Sequence, residues 1–448
     1  MSMMFWLLLY SFNSYSIELS DLELYQRCHS HFTGQSISFN DPNLIEIKTG
    51  RMSGINACKT ILNSAKISGD LTLNTTNTRG ISVLQKFFQI HASWFQDKIF
   101  DSEFSSSVDI YELSPGGLSL TKSLFDSSFK FSDIFRGSNV FEGIRTKGSP
   151  LKSAARGIAS DKFTYIQGTD DTNTVSWSGL NLPEQGLLIG IRPERPVHVT
   201  NFRNSTGNKV INGTLGGGIL GSRNYILKTA RAEGMEADGA IQMPRKWGRA
   251  IFKDMLCQDL PVVNFTTDTA PYVDPTSKTP FRTSSGCVAC HVSMDQLSGL
   301  IRNYNVQSTS SDDSSLTVPI FHNTQTQSPY QWTPNKDSNY FKKTPLGRFL
   351  YRTTSGELID RELQDLNSLG ELVVQIDDLY TCTASRYLEY FTGVKVPTAQ
   401  VISQPKNIYS MEIQKLSKIL KDTQSPFNVI ELILNSKIYK DSKYLVGE

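Results

Sequence analysis

Cys287, Val288, Ala289, Cys290 and His291 form a Cys-x-x-Cys-His run. Two thiols three residues apart can each add to a vinyl group of one porphyrin. The imidazole of the following residue then faces the iron from one side of the ring. That spacing is the attachment pattern of haem c. It assigns Cys287 and Cys290 to the two thioethers and His291 to the iron, giving one covalent haem c. Rival uses of the same residues need other surroundings. A thioredoxin-type redox pair opens a helix in a βαβ setting, which is not read here. Half of a zinc site needs a second Cys/His pair at finger spacing, which the sequence lacks. A vestigial motif would carry no cofactor.

The second axial position decides what such a haem does. A Met thioether there raises the potential and makes an electron carrier, whereas an open position admits ligand or peroxide chemistry. Met294 lies about one helical turn beyond His291 and stays on the same side of the ring. Six candidates remain: Met235, Met243, Met255, Met411, His198 and His322. Each is more often a core or surface residue than a ligand.

Several elements must position these groups. Leu84, Phe87, Phe88, His91, Trp94 and Phe95 recur at helical spacing over Ile81 to Phe95. His91 sits on that apolar face, where a histidine is more often packed in the core than a ligand. Trp247 to Cys257 reads as a helix with Trp247, Ala250, Ile251, Met255 and Leu256 on one side, closed by Pro261. A polar loop from Asn264 to Ser285 then leads into the Cys-x-x-Cys-His run. Gly216-Gly217-Gly218 matches neither dinucleotide nor P-loop spacing and reads as a turn or a close backbone approach. Between Asp101 and Asn212 apolar runs are short, and Gln185 to Ile191 is a candidate buried strand. Ser308 to Asn339 reads as a polar surface loop. The C-terminal hundred or so residues read as helices marked by Leu366–Ile376, Leu379–Phe391 and Met411–Leu420. Gly393 suits a helix C-cap, and Ser425-Pro426 opens the last helix.

Composition and the N-terminus set the compartment. The 448 residues are 38% hydrophobic and 20% charged with net charge +2, an ordinary globular balance. No basic stripe recommends nucleic acid as a partner. Met1 to Ser16 reads as a signal peptide: an apolar run from Met3 to Tyr10, then Ser14 and Ser16 at cleavage spacing. That run is too short to span a bilayer, and no later segment is apolar enough to do so. The mature chain is therefore expected to be periplasmic or secreted. Cys28, Cys58, Cys257 and Cys382 remain outside the motif, and an oxidising compartment would pair them. Chain proximity favours Cys28 with Cys58, leaving Cys257 with Cys382, among three possible connectivities; buried free thiols are the alternative.

Gly216 to Asn305 resembles the cytochrome c-like domains of unknown function found in exported planctomycete-type and predatory-bacterial proteins. The shared order is Gly217-Gly218-Ile219-Leu220-Gly221, the Trp247–Cys257 helix, Leu260-Pro261, Arg282-Thr283-Ser284, and Cys287 through Asp295. Gly356–Leu363, Cys382 before Arg386-Tyr387, and Asn435-Ser436 resemble that family's closing domain, and Ile81–Phe95 its early helix. The chain departs from the pattern after Asp295, with Gln296 where Pro is usual and Gly299 one place late. The resemblance implies haem binding and electron transfer without naming a substrate.

The expected architecture is mainly α with long loops and minor β, a c-type haem domain packed with a C-terminal helical domain. Its segments are a signal peptide at 1–16, an N-terminal region at 17–212, a haem c region at 213–310 and a helical region at 340–448. The expected function is a periplasmic monohaem c-type cytochrome passing electrons to a partner protein. A peroxidase-like haem oxidoreductase and an exported binding protein with structural haem are the alternatives.

Overall fold

The computed structural model describes residues 18–66, 78–95, 115–137, 139–145, 161–167, 174–182, 215–222, 225, 226, 229, 243–278, 280–302, 304–310, 317–323 and 344–441. Among them the chain is mainly helical with minor antiparallel β structure, as expected. The proposed leader, the run from Gln185 to Ile191, His198 and Met235 lie outside the described residues.

Ser20 opens α1 (Asp21–Thr33) with a capping box to Glu23, which satisfies orphan amide donors at both ends of the turn. Asp41 and Ser53 cap α2 (Pro42–Lys48) and α3 (Gly54–Asn63) through their side chains. Disulfide Cys28–Cys58 ties α1 to α3. The amphipathic helix read at Ile81–Phe95 is α4 (Thr78–Ser93), which buries Val83, Leu84, Phe87, Phe88 and His91 against α5 (Pro115–Phe125).

The C-terminal helices are α8 (Leu366–Val373), α9 (Asp377–Thr392), α10 (Thr398–Ser403), α11 (Ile408–Thr423), α12 (Pro426–Asn435) and α13 (Lys437–Lys440). They follow α6 (Met243–Leu256) and α7 (Ser285–Leu297). Gly393 ends α9 at φ 74° and donates its N–H to Glu389 O, and Pro426 stands in the first turn of α12 after Ser425. Disulfide Cys257–Cys382 joins the end of α6 to α9. Both pairings are the ones that chain proximity favours.

One apolar cluster runs from Tyr25 to Tyr439 and draws on α1, α4, α6 and α9. The N-terminal, motif-bearing and C-terminal segments therefore share a core. Residues 216–218 make the close approach expected of them. A Cβ on Gly217 would lie 2.3 Å from Leu366 O, and one on Gly218 would lie 2.1 Å from Ile134 O; both have positive φ. Only glycine fits there.

Strands β1 (Asn139–Arg145), β2 (Asp161–Gln167) and β3 (Thr174–Leu182) form an antiparallel sheet in the order β1-β2-β3, within the region expected to hold minor β structure. Two hairpins differ from the sequence reading. β4 (Tyr304–Ser310) pairs with β5 (Thr317–Asn323) where a polar loop is expected. β6 (Gly347–Arg352) pairs with β7 (Leu358–Leu363) inside the segment read as helical. The second difference has a clear cause. Phe349 and Tyr351 enter the main core while Leu350 enters a small cluster on the opposite side. This is period-2 burial with apolar groups on both faces, which hides strand alternation from the sequence.

Candidate haem-attachment site

The Cys-x-x-Cys-His run occupies the first two turns of α7, with Ser284 as N-cap. Its inward residues are Val288, Ala289, Val292, Ser293 and Leu297. Val288, Ala289 and Val292 pack with Val263 and Leu350 of β6. That anchorage turns the other face outward: Cys287 is exposed, and Cys290, His291 and Met294 are half-buried. Helical spacing of three and four places these residues along one stripe. Neither thiol is in a disulfide, and the space around Gly286 is open within 4 Å of a built Cβ.

His291 is held by three neighbours. Its Nδ1 lies 3.1 Å from Asp295 Oδ2, one turn along α7. Arg245 of α6 places Nε 2.9 Å from Asp295 Oδ1; Oδ1 receives no hydrogen bond, so this is an ion-pair contact. The Phe281 ring stacks on the imidazole at 4.3 Å and 18°, with the Arg245 guanidinium 4.9 Å from its other contact, the Phe281 centroid. In a neutral imidazole, a carboxylate acceptor at Nδ1 favours the tautomer that carries the proton there and the lone pair on Nε2. Ligating histidines are commonly fixed through such a partner on the other ring nitrogen.

α6 brings Arg245 to this place by crossing α7 at contact distance. A Cβ on Gly248 would stand 2.7 Å from Met294 O. Beside that glycine, buried Trp247 donates Nε1–H to Leu220 O at 2.9 Å and fixes the helix on the glycine-rich turn.

The residues fit a covalent haem: two thiols outside any disulfide on one helical face, and an adjacent imidazole whose Nε2 has no hydrogen bond among the described residues. A redox dithiol fits less well. The motif does open a helix, but α7 packs on an antiparallel hairpin and not in a βαβ unit. For zinc, no group of three or more His, Cys, Asp or Glu placed to share an ion occurs among the described residues.

The other candidates lie elsewhere. Met255 is packed in the main core, and Met411 is 57% exposed on α11. The side chains of Met243 and His322 are outside the described residues, as are Met235 and His198 altogether. His91 is a core residue, as expected. Its ring nitrogens lie 2.9 Å from Thr121 Oγ1 and 2.9 Å from Tyr387 Oη. Burial lowers its pKa to about 3, so the ring is neutral.

Asp295 stands four residues after His291, a spacing legible as a same-face helical pair. The stacking of Phe281 on His291 and the pairing of Arg245 with Asp295 have no local signal in the sequence. No helix among the described residues is long and apolar enough to cross a membrane. Comparison with family models, with curated proteins and with solved structures finds no match.

Proposed function

We propose that the chain is an exported monohaem c-type cytochrome, with thioethers at Cys287 and Cys290, His291 as the proximal iron ligand, and electron transfer as its work. The single observation carrying this reading is the placement of both free thiols and His291 on the outward stripe of α7, with His291 Nδ1 engaged by Asp295. Haem supplies a one-electron couple when bound. The chain's own part is to fix the imidazole, hold the motif helix on β6 and present its outer face. The resemblance of Gly216–Asn305 to exported cytochrome c-like domains supports the same reading. Disulfides Cys28–Cys58 and Cys257–Cys382 support an oxidising compartment, periplasmic or extracellular.

The test is expression with a c-type haem maturation system, followed by intact mass and a pyridine haemochrome spectrum. The expected mass is the mature chain plus one haem, and Cys287→Ala with Cys290→Ala abolishes it. A mature protein without haem under those conditions overturns the reading. The Asp295 contact also favours a second reading, a peroxidase-like haem oxidoreductase, because an anionic partner makes the proximal imidazole more basic. A five-coordinate, high-spin spectrum of the loaded protein selects that reading; a six-coordinate, low-spin spectrum selects the carrier.

A further inference from the structure

The C-terminal end of α6 borders a cleft that the haem reading does not use. The cleft has a volume of about 570 Å³, within the range of small-ligand sites. Lys86 of α4 and the adjoining Trp94 form one wall, Lys253 and Asp254 of α6 a second, and Arg386, Glu389 and Tyr390 of α9 a third.

Its charges are unevenly matched. Lys86 and Lys253 form no ion pair with a described carboxylate, whereas Arg386 interacts with the charges of Asp254 and Glu389. The Arg386 guanidinium donates to the carbonyls of Asp254 at 2.7 Å and Lys253 at 3.4 Å, capping the end of α6. It lies 5.6 Å from the Trp94 centroid. Lys86 Nζ lies 6.0 Å from the centroid of Tyr390. Of the two acids, Asp254 is buried and accepts the Tyr225 hydroxyl at 2.9 Å. Glu389 is half-buried and its charge acts on Arg386. Lys86 is half-buried and Lys253 exposed, and a concave site where cations outnumber acids gathers anions. Aromatic walls beside those cations suit a flat unsaturated body.

We propose that this cleft binds a small organic monoanion carrying a planar ring. Lys86 and Lys253 take the anionic group, Trp94 and Tyr390 border the ring, and Glu389 opposes a second negative charge. The proposal is independent of haem attachment.

Calorimetric titration of the purified full-length protein with benzoate tests it, with acetate as the control lacking a ring. Benzoate is expected to bind at one site with a Kd of about 1 mM or tighter, and acetate not to saturate in that range. Each lost charge contact changes affinity about two- to fivefold at a partly exposed site. K86Q/K253Q is therefore expected to weaken benzoate about five- to twentyfold, and Glu389→Gln to tighten it about two- to fivefold. Loss of folding cannot imitate that gain. No saturable heat with benzoate up to about 10 mM, unchanged affinity in K86Q/K253Q, or no gain in Glu389→Gln overturns the proposal.

Discussion

The two disulfides should contribute unequally, and their difference follows from the chain they enclose. Cys28 and Cys58 are 30 residues apart, and Cys257 and Cys382 are 125 apart. Loop-closure entropy in the unfolded chain then gives about 3.6 and about 4.9 kcal/mol at 25 °C. Total folding stability of a native protein is about 5–15 kcal/mol, so either bridge is a large share of it. Denaturant melts of the oxidised protein, Cys28→Ala/Cys58→Ala and Cys257→Ala/Cys382→Ala should show the second variant losing about 1 kcal/mol more than the first. An equal or reversed order would refute the loop argument. Losing both bridges should remove about 8.5 kcal/mol, more than half of the upper end of the native range, so material expressed in a reducing cytoplasm is expected to be strongly destabilised. Reduced protein with an unchanged melt would refute that, and would remove the energetic support for export.

Three further outcomes are expected. Gly248→Ala pushes a methyl towards Met294 O, and such overpacking costs about 1–3 kcal/mol; an unchanged Tm in a thermal melt would show that α6 and α7 are not in backbone contact. His91 and His31 have pKa values lowered by burial from 6.5 to about 3 and about 4. Below pH 6.5 the unfolded chain takes up these protons before the folded one does. Stability is then complete above pH 6.5 and falls as pH drops, by up to about 1.4 kcal/mol per pH unit for each ring. Urea melts from about pH 7 to 4.5 measure that slope, which His91→Gln should reduce; an identical slope in the variant counts against a neutral buried ring. In haem-loaded protein, Asp295→Asn keeps the shape of the acceptor and removes its charge. The midpoint potential should rise by roughly 60 mV, a tenfold change for a one-electron couple, and a spectroelectrochemical titration with no shift would separate Asp295 from the iron's environment.

Legibility in the sequence followed locality. Period-3.6 stripes marked α4 and α6, and α9, which is buried on nearly all sides, was marked by its apolar residues and by the left-handed turn at Gly393 that ends it. Chain proximity and an even count favoured these disulfide partners without excluding the other connectivities. β6 stayed hidden because α7 and the main core cover both its faces, so Phe349, Leu350 and Tyr351 read as an unbroken apolar run. At the site, Cys287, Cys290 and His291 are consecutive enough to declare themselves, and Asp295 sits one turn on. Arg245 reaches Asp295 through the crossing of α6 and α7, and Phe281 reaches His291 from the loop before the motif. No local period encodes those contacts.

That crossing makes α6 the element on which the separate features depend. Along one helix, Arg245 pairs with Asp295, Gly248 meets the α7 backbone, and Lys253 and Asp254 border the cleft, with Cys257 just beyond its end bonded to α9. Arg386 caps the last carbonyls of α6 from the same helix that holds the disulfide partner Cys382. A helix fixed at one end by a covalent bridge and a guanidinium, and in its middle by backbone contact, has little freedom to slide or rotate. Arg245 therefore reaches Asp295 from a rigid base, as a supporting partner must if it is to hold a ligand imidazole in one orientation. Electron transfer and substrate chemistry make different demands on what lies opposite His291, but both need this side of the site to stay still.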